Sequence, residues 1–129
     1  MGKRVLIAED EPHIVESLRF VLERDGFEVR SVSDGAAVID KVRTYEPHVL
    51  VLDVMLPNRN GFEVLKCLKG DHDLAAIPVL MLTAKGQDQD RATADRLKVD
   101  AFITKPFANR EVVECIRRLV DNVREDAAG

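Results

Sequence analysis

The sequence predicts an α/β domain of (βα)5 type, a doubly wound parallel sheet of five strands with helices on both faces. Short apolar runs alternate five times with stretches of helical apolar spacing. The runs at His48–Leu52 and Pro78–Leu82 are nearly continuous in apolar residues, as befits central parallel strands buried on both faces. A chain of 129 residues that is 46% hydrophobic suits one domain with a core of useful size.

The elements follow in order. Arg4–Ala8 is a short apolar run ended by charges, the first strand. Pro12 suits the first turn of a helix whose inner face carries Ile14, Leu18, Val21 and Leu22, and Gly26 suits its stop. Phe27–Val32 mixes β-branched and charged residues, so it reads as a more exposed strand. Asp34 can cap the next helix, with Ala37, Val38, Val42 and Tyr45 facing inward and Pro47 ending it. The third strand, His48–Leu52, leads to a polar loop with Pro57 and Gly61, then a helix bearing Phe62, Leu65 and Leu68. After the fourth strand, residues 87–98 are polar, with Ala92, Ala94 and Leu97 as their apolar content. Ala101–Ile103 is the last strand. The last helix sets Val112, Ile116, Leu119, Val120 and Val123 on one stripe. The domain is expected to fill residues 1–125, with 126–129 a frayed tail. There is no internal repeat, low-complexity segment or linker.

Composition narrows the function classes. Charged residues are 33% of the chain, and the net charge is −4, which lacks the basic footprint of a nucleic-acid binder. Cys67 and Cys115 lie in apolar-periodic stretches without metal-ligand spacing, so they are expected as reduced, partly buried thiols. The five-residue run after Lys3 is too short for a signal-peptide core, and no run approaches the roughly 18 apolar residues of a membrane span. The expectation is a cytoplasmic protein without membrane or direct nucleic-acid contact.

In open parallel sheets, ligands bind beyond the carboxyl ends of the strands. The first strand delivers Glu9 and Asp10 there, the third Asp53, the fourth Thr83, and the fifth Lys105 before Pro106. Close carboxylates repel, and a hard divalent cation such as Mg²⁺ resolves the repulsion with oxygen ligands. A phosphoryl acceptor needs a nucleophile, a cation for the equatorial oxygens and donors for the rest. A carboxylate can serve as the nucleophile and form an aspartyl-phosphate. Taken singly, each residue has an ordinary reading: Asp53 as a turn former, Thr83 as a strand former, Lys105 as surface, Glu9-Asp10 as helix-start acids. Their arrival together at four strand ends is what favours the chemical reading.

Four motifs, in this order and spacing, carry a resemblance over essentially the whole chain. They are Val-Leu-Ile-Ala-Glu-Asp-Glu (5–11), Val-Leu-Asp-Val-Met-Leu-Pro-Asn-Arg-Asn-Gly (51–61), Met-Leu-Thr-Ala (81–84) and Phe-Ile-Thr-Lys-Pro-Phe (102–107). The chain resembles the receiver domains of two-component response regulators. The resemblance implies a flavodoxin-like sheet of order 2-1-3-4-5. It implies that Asp53 takes a phosphoryl group from a sensor histidine kinase or a histidine phosphotransfer protein. It implies Mg²⁺ on Asp10, Asp53 and the backbone carbonyl of Met55, with Glu9 in the acidic pocket through water. Lys105 then contacts the phosphoryl group, Thr83 shifts its hydroxyl towards it, and Phe102 takes the place of a rotating aromatic. The Lys105–Pro106 bond is expected to be cis. The output surface would be the fourth helix, fifth strand and fifth helix, acting on a downstream effector protein or domain. Such a domain is a phospho-acceptor regulator that assists its own phosphotransfer and dephosphorylation, not an enzyme.

There are departures. Lys98-Val99-Asp100 stands where the family often has Gly-Ala-Asp, which suggests a differently packed turn after the fourth helix. Glu9 occupies a position that is often Asp. Ala101, Cys115 and Asn122 fall where winged-helix members carry charged dimer pairs. Other readings fare worse. A haloacid-dehalogenase-type phosphatase wants Asp-x-Asp, against Asp53-Val54-Met55 here. An FMN-binding flavodoxin needs a Ser/Thr/Gly-rich phosphate loop where this chain has Glu9-Asp10-Glu11-Pro12. The alternative in a different class is a degenerate receiver that acts only as an interaction module; it should lack an acid, the Thr or the Lys, and this chain has them all.

Overall fold

The computed structural model of the chain describes residues 2–84 and 88–128, with the backbone alone at 88 and 122–128. Strands and helices alternate through it: β1 (Arg4–Ala8), α1 (Pro12–Arg24), β2 (Glu28–Val32), α2 (Val38–Tyr45), β3 (Val49–Asp53), α3 (Gly61–Lys69), β4 (Val79–Thr83), α4 (Asp88–Arg96), β5 (Ala101–Thr104) and α5 (Asn109–Ala128). All strand pairs are parallel, in the order β2-β1-β3-β4-β5.

The period of two along each strand divides the core. Val5, Ile7, Val49, Val51, Leu80 and Leu82 face one layer, where Leu18 and Leu22 of α1 and Val112, Ile116 and Val120 of α5 meet them. Leu6, Ala8, Leu50, Leu52, Val79 and Met81 face the other, against Val38 and Val42 of α2, Val64, Leu65 and Leu68 of α3, and Ala94 of α4. Every residue of β3 and β4 is buried, and each large aliphatic side chain so buried contributes about 1.5–3 kcal/mol. β2 at the edge buries only Val29 and exposes Glu28 and Arg30, as its interleaved charges foretell.

Most differences from the sequence reading are local. Asp34 caps a 3-10 turn at Gly35–Ala37 rather than α2: its carboxylate accepts from the Ala36 N–H at 2.8 Å. Ala37 is therefore exposed instead of facing the core, and α2 begins at Val38 without a side-chain cap. Cys67 is exposed, because it follows the buried pair Val64-Leu65 by two positions on α3 and so points outward; Cys115 is buried. Gly26 ends α1 at φ 96°, the left-handed region expected of a helix stop. The backbone of α5 is helical to Ala128. The side chains of Asn122 and Val123, those of the expected tail at 126–128, and the whole of Gln87 and Gly129 lie outside the described residues.

Candidate functional site at the strand ends

Because the strands are parallel, their carboxyl ends share one edge of the sheet. At the end of β1 the Glu9 N–H donates to the Val32 carbonyl at 3.1 Å, which extends the pairing with β2 by one residue. The next turn brings the Glu11 N–H onto Glu9 Oε2 at 3.1 Å and leaves the Glu9 side chain 1% exposed. Asp10, one residue on, is exposed.

Asp53 closes β3 and is 2% exposed. Its Oδ1 accepts from the Met55 N–H at 2.9 Å, an Asx turn that fixes the carboxylate. The loop then returns, and the Gly61 N–H donates to the Val54 carbonyl at 2.9 Å. A Cβ at Gly61 would stand 2.5 Å from the Asp53 carbonyl oxygen, so only glycine lets α3 start this close to the site. Asn60 caps that helix, its side chain accepting from the Glu63 N–H at 3.0 Å. On the other side, the Lys105 N–H donates to the Thr83 carbonyl at 2.7 Å. The Lys105–Pro106 bond is cis.

These constraints bring Glu9, Asp10, Asp53 and Lys105 together. The Lys105 ammonium donates to Asp53 Oδ2 at 2.8 Å and to Glu9 Oε1 at 3.0 Å. Burial pushes the Glu9 carboxyl up to about 7, and hydrogen bonding to and repulsion from Asp53 add to this; Lys105 and the Glu11 N–H offset it only in part. Burial alone would lower Lys105, but hydrogen bonds and attraction from Asp53 and Glu9 outweigh it and hold the ammonium above its ordinary range.

One ammonium does not balance three carboxylates. Glu9, Asp10 and Asp53 each offer an oxygen, all within 4.8 Å of one another. Fully ionised, the group keeps a surplus of two negative charges over Lys105, which a divalent cation would cancel. The donors are all oxygens, which suits Mg²⁺ or a similar hard cation rather than zinc or copper.

The remaining predicted residues sit around this centre. Met55 has its side chain 70% exposed and meets Asp53 through its backbone. Thr83 is 1% exposed, and its hydroxyl donates to Asp90 Oδ2 on α4 at 3.0 Å. Phe102 is half-buried on β5 against the layer that holds α3 and α4, with the Arg91 guanidinium 5.4 Å from its ring centre. The sequence reading missed Asp90 and Asn60. An Asn just before a helix was a usable cap signal; an Asp in a polar helix looks the same whether it meets solvent or a neighbour.

Residues 5–117 match the family model of the response regulator receiver domain. The chain is similar to the alkaline phosphatase synthesis transcriptional regulatory protein PhoP of Bacillus subtilis, with 43% identity over 112 residues, covering 87% of this chain and 46% of that protein. It is similar to the phosphate regulon transcriptional regulatory protein PhoB of Escherichia coli, with 36% identity over 123 residues, covering 95% of this chain and 54% of that protein. The chain thus spans about half the length of these curated relatives. Among solved structures, the receiver domain of a signal transduction histidine kinase from Syntrophus aciditrophicus superposes with a TM-score of 0.88 at 30% identity, over 95% of this chain and 92% of that one. A receiver domain of a Francisella response regulator superposes with a TM-score of 0.85 at 25% identity, over 94% of this chain and 98% of that one. Among the described residues, no helix is long and apolar enough to cross a membrane.

Proposed function

The chain belongs to the receiver-domain family of two-component response regulators, and from that premise we propose that it is a switch thrown by phosphorylation of Asp53. The observation that carries this is a buried carboxylate held by Lys105 on one oxygen and by the Met55 N–H on the other, beside Glu9 and Asp10. The donor is the phosphohistidine of a sensor kinase or of a histidine phosphotransfer protein. An Asp53 oxygen attacks phosphorus, the P–O bond forms as the P–N bond breaks, and the imidazole leaves.

Each neighbour has a part. Asp10, Asp53 and the Met55 carbonyl would hold Mg²⁺, with Glu9 alongside. When bound, the cation neutralises charge on the phosphoryl oxygens. Lys105 moves from the Asp53 carboxylate to a phosphoryl oxygen and keeps a charge-assisted bond. Thr83 supplies a hydroxyl from the fourth strand end. Phe102 and the α4–β5–α5 face carry the change outward to an effector protein or domain. The domain regulates rather than turns over substrate, and the same groups assist both acquisition and loss of the phosphoryl group.

The test is labelling with acetyl phosphate in Mg²⁺. Wild-type protein is expected to gain an acyl phosphate at Asp53 that is labile to acid and base and is cleaved by hydroxylamine, and Asp53→Asn to gain none, because an amide is not a competent nucleophile. Undiminished labelling of Asp53→Asn, or label on Ser or Thr, would overturn the assignment.

A further inference from the structure

We propose that Asp90 is a positioning residue that holds the Thr83 hydroxyl on α4 until a phosphoryl group competes for it; this rests on the reading of Asp53 as the phospho-acceptor. A hydroxyl has a single hydrogen to donate. In this structure Thr83 gives it to Asp90 Oδ2 at 3.0 Å, across the loop between β4 and α4. Thr83 is 1% exposed, so its hydroxyl cannot turn to bulk water in exchange. Donation to a phosphoryl oxygen on Asp53 therefore requires that the bond to Asp90 break. The two acceptors are anions of the same kind, and the hydroxyl is the object of their competition.

Three features make this competition reach α4. Asp90 borders a groove of about 720 Å³ that is also lined by Asp10, Met55 and Ala84, so it shares that space with one carboxylate of the acidic site. Negative charge gained there repels Asp90 while Thr83 is being withdrawn from it, and both effects push α4 the same way. Next to Asp90, Arg91 places its guanidinium over the Phe102 ring. Consecutive residues of one helix thus hold the two side chains whose positions the switch would change, one at the end of β4 and one on β5. Finally, Ala94 is the only side chain of α4 that is fully buried among the described residues, so these polar contacts are a large part of what fixes the helix.

The experiment is an NMR titration of the chain with beryllofluoride, a phosphoryl mimic, in Mg²⁺. Asp90→Ala removes the competing acceptor, and its affinity is expected to rise about tenfold, the scale of one hydrogen bond to a charged group. Asp90→Asn keeps an oxygen that accepts from Thr83 and is expected to stay within about threefold of wild type. In a Thr83→Ala background, Asp90→Ala is expected to tighten binding by no more than about threefold, because the hydroxyl it releases is gone and only the relief of charge repulsion remains. Unchanged or weaker binding by Asp90→Ala, or equal tightening in the Thr83→Ala background, overturns the proposal. If wild-type protein takes up no beryllofluoride, the Asp53 reading fails, but the latch can still be read without ligand. Three-bond couplings to Thr83 Cγ2 are expected to report one rotamer in wild type and averaging in Asp90→Ala; a single rotamer in both overturns the latch.

Discussion

Helices α3 and α4 are both nine residues long and lie on the same face of the sheet, yet different forces hold them. α3 buries Val64, Leu65 and Leu68 completely or almost so, and Asn60 caps its start. α4 buries Ala94 and is otherwise tied by Asp90 to Thr83 and by Arg91 to Phe102. Apolar burial does not care what is bound to Asp53. A hydrogen bond to a strand-end hydroxyl does. The pair shows how one layer can hold both a fixed wall and a movable one: α3 anchors the loop that follows the nucleophile, and α4 is attached by contacts that chemistry at the site can cut.

The largest expected effect tests the static half of the contrast. Leu65→Ala should cost about 2–5 kcal/mol in urea unfolding, the range for truncating a fully buried leucine. Ala94→Gly on α4 should cost about 1 kcal/mol, mostly the helix propensity of glycine. A cost for Ala94→Gly as large as that of Leu65→Ala would exceed helix propensity several-fold and mean that α4 is anchored by packing at Ala94, and the contrast would collapse.

The dynamic half predicts a smaller effect. Beryllofluoride in Mg²⁺ should change amide exchange across residues 89–97 by about tenfold, about 1.4 kcal/mol, with changes in α3 under about twofold. If protection changes around Asp53 but not across 88–107, the site binds the mimic without transmitting it.

The sequence was most legible where one residue type had one environment open to it. Unbroken apolar runs at β3 and β4 could only be buried strands, and their order along the chain put Glu9, Asp10, Asp53, Thr83 and Lys105 on one edge. It was least legible where a polar side chain had a choice of partners. Lys105 was legible as a residue of the strand-end cluster but not in its partners: it divides itself between Asp53 and Glu9, a pairing set by packing that the spacing of residues 9, 53 and 105 does not encode. Asp90 had the same problem. Asp34 looked like a helix cap and is a cap, but of a 3-10 turn that the apolar pattern could not separate from α2. Cys67 fell in an apolar stretch but on its outward side, a matter of one hundred degrees of helix rotation.

The smallest expected effect lies at the far end of α4 and separates its two attachments. The Lys98 N–H donates to the Asp95 carbonyl and the Val99 N–H to the Ala94 carbonyl, both at 3.1 Å, while Val99 packs against the core. That closure needs its turning residue in the left-handed region, and Lys98 sits there at φ 63°. A side chain with a Cβ pays about 1 kcal/mol in this conformation, and glycine does not. Lys98→Gly is therefore expected to stabilise the chain by about 0.5–1 kcal/mol in urea unfolding, part of the gain being offset by the greater freedom of glycine in the unfolded state. Its beryllofluoride affinity should stay within about twofold of wild type, since relief of strain at the C-terminal turn favours both states alike. A lower stability would mean that the lysine side chain itself holds the turn. A large change in affinity would mean that α4 responds to phosphorylation at its C-terminal end as well as at Asp90, so the helix would move as a rigid unit instead of swinging from a fixed end.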